Sequence, residues 1–232
     1  MHKKVLVVAA HPDDEVLGCG GTMAWHVQAG DQVHVLILAE GMTARSRQRD
    51  RDIYAQELST LAQQAHTANK LLGVTSVTLH DFPDNRMDSI DLLDIVKVIE
   101  QKINDIKPDI IYTHHAGDVN IDHRRVHDAV IAASRPMPGV CVTHVLFFEV
   151  ASSTEWQTPY SAPVFTPNWF VNISSTLSIK LKALEIYASE MRDFPHPRSY
   201  QALEHLAYWR GATVGVNAAE AFFLGRAIIG KK

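Results

Sequence analysis

The chain has only two cysteines in 232 residues, Cys19 and Cys141. Both stand in apolar stretches, so a disulfide framework is not expected and a reducing, cytoplasmic setting is. It has no surplus of positive charge. Twenty-two Lys and Arg against 26 Asp and Glu leave −4, which removes the electrostatic footprint of a nucleic-acid or anionic-membrane binder. Arg45, Arg47, Arg49 and Arg51 form the densest basic stretch, but Asp50 and Asp52 alternate with them, as on a solvated helix start. Long hydrophobic runs are absent too. The run at 5–10 after Lys3-Lys4 is too short for the core of a signal peptide, and nothing reaches the length of a membrane span. Without repeats or low-complexity tracts, the sequence leaves room for one enzyme-sized domain with a substantial core.

What is present alternates. Apolar runs rich in β-branched residues at 5–10, 33–39, 77–79, 109–113 and 142–150 predict strands, and helical periodicity at 15–29, about 50–72, 92–106 and 122–134 fills the gaps. Continuous apolar strands separated by helices imply a mostly parallel sheet covered on both faces, a Rossmann-like α/β fold. The last third changes character: prolines at 159, 163 and 167 precede a strand-like stretch at 169–173, a helix at 179–191 and, after Phe194-Pro195-His196-Pro197, a last helix at 200–210. This reads as an elaboration packed on the sheet rather than a second domain.

The first strand runs directly into His11-Pro12-Asp13-Asp14-Glu15. An imidazole and three carboxylates within five residues are costly to bury without a partner, and a divalent cation is the obvious one. The carboxyl end of a parallel strand, where it turns into a helix, is also where open α/β sheets hold their ligands. A second cluster, from His114-His115 through Asp118, Asn120 and Asp122 to His123, follows the strand at 109–113. If the two strand ends are neighbours, His11, Asp14 and His123 can meet, and two imidazoles with one carboxylate and an open position is the composition of a catalytic zinc site. His123 and His127, four apart, could form a face of their own, yet no His-Glu-x-x-His pattern accompanies them.

Ala10-His11-Pro12-Asp13-Asp14-Glu15, with Asp122-His123 over a hundred residues later, resembles the PIG-L/LmbE family of zinc-dependent N-acetylglucosaminyl deacetylases, and the likeness runs along the chain. The resemblance implies zinc held by His11, Asp14 and His123, Asp13 as general base, and removal of acetyl from an N-acetylated amino sugar or sugar conjugate. Relatives that form trimers or hexamers imply a homo-oligomer. The chemistry is consistent: a bound divalent cation lowers the pKa of water to about 7, and Asp13 can take the proton. A carboxylate should orient His123, and the adjacent Asp122 is the simplest candidate. A magnesium phosphoesterase is the rival reading, disfavoured because imidazole suits zinc better; a non-catalytic family member is the other, and the intact Asp13 argues against it.

Relatives resemble His-Pro-Asp-His at the second cluster, where this chain has Asn120-Ile121-Asp122-His123. Asn120 can donate a neutral hydrogen bond to an oxyanion but cannot deliver a proton. His196, between two prolines, is the preferred replacement acid, with His115 and Asp118 behind it as cleft residues. Arg86 and Asp88 could bind sugar hydroxyls or simply tie their loop. The bland alternative for the first cluster is a helix N-cap, which accounts for one acid but not for the run. Gly18, Gly20 and Gly21 follow the acids and lie inside the helix, so they suit close packing rather than a dinucleotide. His26, His34, His66, His144 and His205 are expected to be structural.

Overall fold

The computed structural model describes residues 2–139 and 141–230. Strands β1 (Lys4–Ala9), β2 (Gln32–Ala39), β3 (Ser76–Phe82), β4 (Ile110–His114), β5 (His144–Phe148), β6 (Trp169–Asn172) and β7 (Ala219–Ala227) alternate with helices α1 (Asp14–Gln28), α2 (Ala55–Leu71), α3 (Leu92–Ile106), α4 (Ile121–Ala133), α5 (Leu177–Ile186) and α6 (Tyr200–Ala212). They build one seven-stranded sheet in the order β3-β2-β1-β4-β5-β7-β6. Pairing is parallel from β3 to β5, whereas β7 runs antiparallel to both β5 and β6. The expected Rossmann-like arrangement is therefore present, with an antiparallel extension at one edge.

Both faces of the sheet are buried. In β1, Val5, Val7 and Ala9 face a core shared with α1, α2, α5 and α6, while Leu6, Val8 and Ala10 face a second core with α3 and α4. A strand buried on alternate faces needs apolar residues at every position, which is why β1 shows no alternation. The α1 glycines serve packing as expected. The backbone leaves helical angles at Cys19; a methyl at Gly18 would strike the Phe148 ring, and one at Gly21 would come within 2.9 Å of Ile173 Cδ1.

Several boundaries shift. The α2 helix begins at Ala55, α5 ends at Ile186 with a separate 3₁₀ turn at Ala188–Glu190, and β5 is confined to His144–Phe148. The strand β7 has no counterpart in the sequence reading. Two of the structural histidines show their role directly: His26 bonds Asp31 at 2.7 Å and the Tyr112 hydroxyl at 3.0 Å, and His34 bonds Ser76 at 2.8 Å. Among the described residues, no helix is long and apolar enough to cross a membrane.

The strand order fixes where chemistry can occur. The chain leaves β1 toward β2 on one side and returns to β4 on the other, so β1 and β4 flank the point where the winding direction reverses. Ligands in such sheets sit beyond the carboxyl ends of those two strands, where both histidine–carboxylate clusters lie.

Candidate metal centre and cleft

Asp13 occupies the turn between β1 and α1 at φ 112°, a left-handed conformation that Asp tolerates better than most side chains. Its carboxylate makes no capping bond to α1. Asp13 Oδ2 instead receives a 2.8 Å bond from Arg198 Nη1, and the Asp13 N–H is taken up by Glu15 Oε2 at 3.1 Å. The N-cap alternative thus fails for Asp13. Burial pushes the Asp13 carboxyl well above its usual range against the pull of Arg198. Glu15 is wholly buried, takes hydrogen bonds from Tyr187 Oη and Asn69 Nδ2 at 2.8 Å each, and is raised by burial to about 7.

Asp14 is the hub. Its Oδ2 accepts the His11 backbone N–H at 2.9 Å and lies 3.1 Å from both His11 Nδ1 and His123 Nε2. Those spacings approach the edge of a tetrahedron whose centre is about 2.0–2.1 Å from each donor, roughly 3.3 Å. His123 Nε2, like His114 Nδ1 beside it, is buried without a hydrogen-bond partner, and of the two it is His123 Nε2 that lies against Asp14. His11, Asp14 and His123 each offer one ligand atom, and these atoms all lie within 4.8 Å of one another. The field there favours positive charge. Burial opposes protonating His123, yet Asp14 and Asp118 raise it to about 9; at His11, Asp122 and Asp14 overcome burial in the same way and lift it well above the usual imidazole value. The donor set fits a divalent cation.

Each histidine of this candidate set is backed by a carboxylate. His123 Nδ1 faces Asp118 Oδ2 at 3.1 Å, and Asp118 is fixed in turn by the hydroxyls of Ser153 and Thr154 at 2.5 and 2.8 Å. Burial opposes it, but His123 and these donors hold the Asp118 carboxyl down at about 2. Asp122 does not orient His123 as the sequence suggests. Its Oδ2 lies 3.0 Å from His11 Nε2, while its two oxygens accept the N–H groups of Asn85 and Met87 at 2.7 and 2.9 Å. The first turn of α4 points Asp122 at the 85–87 loop and His123 at Asp14. His114, fully buried, accepts the Ala10 N–H at Nε2 (2.8 Å) and stacks on His123 with 4.0 Å between ring centres. His127 turns away to the His114 carbonyl at 2.9 Å. It does not join His123 in a second ligand face.

A cleft of about 260 Å³ opens beside the cluster, lined by His11, Asp13, Asn85, Asn120, Glu190 and Arg198 among others. Asn120 is at its wall, but its amide is committed: Oδ1 caps α4 through the Asp122 N–H and Nδ2 donates to Asn85 Oδ1, both at 2.8 Å. The other expected cleft residues are elsewhere. His196 is not in the lining; its Nδ1 accepts the Arg198 N–H at 3.1 Å and its ring meets Trp156 edge-on. His115 is buried against Phe165 and Phe223, and Asp118 has no exposed surface. Arg86 donates to the Ser46 and Arg47 carbonyls, tying the loop as its alternative reading had it, and Asp88 lies exposed beside it. Four charged cleft residues escaped the sequence reading: Arg45, Arg198, Glu190 and Asp84, the last lying 3.4 Å from His11 Nε2. Only Asp84 carried a signal, as an acid in a Pro-Asp-Asn turn facing the strand ends.

Known proteins resemble the chain along most of its length. The uncharacterized deacetylase YaiS of Escherichia coli K12 is 27% identical over 193 residues, 81% of this chain and 91% of its own. The diacetylchitobiose deacetylase of Thermococcus kodakarensis is 26% identical over 234 residues, 94% of this chain and 81% of its own. Among solved structures, GalB of Pseudomonas putida KT2440, a 4-carboxy-2-hydroxymuconate hydratase, superposes with a TM-score of 0.76 over 99% of both chains at 22% identity, a likeness of fold alone. The family model for GlcNAc-PI de-N-acetylase matches residues 6–134, which is more than half of the sequence and contains His11, Asp13, Asp14 and His123: the chain belongs to the PIG-L family.

Proposed function

We propose that the chain is a zinc-dependent hydrolase that removes the acetyl group from an N-acetylated amino sugar or sugar conjugate of the N-acetylglucosamine type. The observation that carries this reading is the unpartnered, buried Nε2 of His123, 3.1 Å from Asp14 Oδ2, with His11 of the same group and Asp13 lining the adjoining cleft. His11, Asp14 and His123 would hold the ion; two imidazoles and one carboxylate favour zinc over magnesium. Bound there, zinc supplies an acidified water and polarises an acyl oxygen.

The rest belongs to side chains. Asp13 has one carboxylate oxygen tied to Arg198, which leaves Oδ1 to take a proton from the attacking water. With His196 outside the cleft lining, Asp13 also returns that proton to the departing amine, acting first as base and then as acid. Asn85 and Asn120 line the same cleft with their amides bonded to each other and to Asp84 and the Asp122 N–H, so they shape the wall rather than bind the sugar directly. The deacetylase names of YaiS and the Thermococcus protein support the same reaction class.

The test is acetate release from a panel of N-acetyl sugars and conjugates, with the protein chelated and then reloaded with zinc. The reading requires acetate from at least one member of the panel, abolished by chelation. Acetate from none, with zinc bound, refutes it.

A further inference from the structure

The cleft wall beyond the metal ligands carries its own charge pattern. We propose that it selects an uncharged N-acetyl glycoside and turns away sugars whose aglycone bears phosphate or carboxylate, with Glu190 setting the preference. This inference rests on the deacetylase reading and narrows its substrate class.

Besides His11, five ionisable side chains line the cleft: Asp13, Asp84, Glu190, Arg45 and Arg198. Both arginines are already matched. Arg198 Nη1 lies 2.8 Å from Asp13 Oδ2, and Arg45 Nη2 lies 3.2 Å from Glu190 Oε1. Asp84 has neither lysine nor arginine as a partner; its oxygens accept the Ala44 N–H and Asn85 Nδ2 at 3.0 and 2.9 Å. Apart from His11 and the ion it would hold, three acids against two bases leave no unmatched side-chain cation on this wall. An anionic aglycone is held by charge-assisted, often bidentate arginine contacts, and the nearby guanidiniums are engaged elsewhere. Arg49 and Arg51 clasp Glu40 and Asp81, Arg86 and Arg192 bond backbone carbonyls, and Arg47 is exposed outside the lining.

Glu190 is the pivot because it is under-used. It ends the 3₁₀ turn Ala188–Glu190, is 16% exposed, and accepts a single hydrogen bond, from Arg45 to Oε1. Its Oε2 makes no hydrogen bond among the described residues. A half-buried carboxylate with a free oxygen suits a neutral hydroxyl donor and repels phosphate.

The experiment compares methyl N-acetylglucosaminide with N-acetylglucosamine 1-phosphate. It measures kcat/KM for acetate release by the zinc-loaded full chain, and binding by saturation-transfer NMR without added zinc. The methyl glycoside is expected to win both comparisons by about ten-fold or more. Glu190→Gln should narrow the ratio by about five-fold, the upper end for one partly exposed charge, through KM for the phosphate sugar. Arg45→Ala, which leaves Glu190 unpaired, should widen it. A wild-type ratio near one, a preference for the phosphate, or a ratio untouched by both substitutions overturns the proposal. If the methyl glycoside binds better yet neither it nor any member of the wider N-acetyl panel yields acetate with zinc bound, the deacetylase reading fails while the charge preference stands.

Discussion

Replacing Asp118 by Asn probes the centre without touching a ligand. In the native chain Asp118 Oδ2 lies 3.1 Å from His123 Nδ1, so the carboxylate fixes a proton on Nδ1, and a cation that displaced the second proton would meet the Nε2 lone pair beside Asp14. Asp118 also accepts the Asn120 N–H and the hydroxyls of Ser153 and Thr154. An Asn of the same shape must turn its amide hydrogens toward some of these donors, and its neutral oxygen is a weaker acceptor for Nδ1–H. Removing such a partner of a metal-ligating histidine costs about 10–100-fold in metal affinity, or roughly 1.4–2.7 kcal/mol. Zinc affinity would be read by competition with a chromophoric chelator, and the His123 tautomer by long-range ¹H–¹⁵N NMR. Asp118→Asn should weaken zinc and erode the Nδ1–H tautomer of His123, whereas Asp122→Asn should disturb His11 instead. An unchanged His123 in Asp118→Asn, together with a changed one in Asp122→Asn, would refute this assignment of partners.

Other expectations follow from the same geometry. Asp13→Asn keeps the shape but removes the base, so turnover should fall by about 10²–10⁴-fold with zinc still bound; loss of zinc on metal analysis would make Asp13 a ligand. Arg198→Ala frees the Asp13 carboxylate and should lower kcat by about 10–10²-fold at unchanged zinc content, with partial recovery in added guanidinium at low concentration; full activity would remove Arg198 from the positioning of Asp13. Glu15 has a folded-state pKa raised from 4.5 to about 7. The native carboxyl therefore holds its proton more tightly than the unfolded one, and the contribution of Glu15 to stability is fully present below about pH 4.5 and lost as pH rises through about 7, by about 3 kcal/mol at most. Denaturation across that window should show a steeper decline in the wild type than in Glu15→Gln, the difference being the Glu15 contribution; equal slopes would refute it.

Much of this was legible because it is local. The path from β1 through His11-Pro12-Asp13-Asp14 into α1 keeps ligand, base and strand end within a few residues, and unbroken apolar strands identify the sheet. His123 was reachable once β4 was placed beside β1. Arg198 was not, since its contact with Asp13 spans 185 residues and the Pro-rich segment around it has no periodicity to orient a side chain. The choice between Asp118 and Asp122 turns on the rotation of the first turn of α4, which the Asn120 cap sets and no spacing rule reveals. Asn120 itself illustrates the limit: its departure from the family pattern suggested a catalytic gap, and its amide caps a helix. The strand β7 was missed because its first half is buried on both faces, and a short apolar run without alternation cannot be told from the end of a helix.

The central claim is that His11, Asp14 and His123 hold a cation required for deacetylation. It is tested most directly by titrating zinc into chelated protein while following acetate release from an N-acetyl sugar that the wild type cleaves. Activity should rise in proportion to zinc, level off at about one ion per chain, and stay at the baseline in His123→Ala. Acetate release that is indifferent to zinc, or that His123→Ala recovers at the same single equivalent, would contradict the claim.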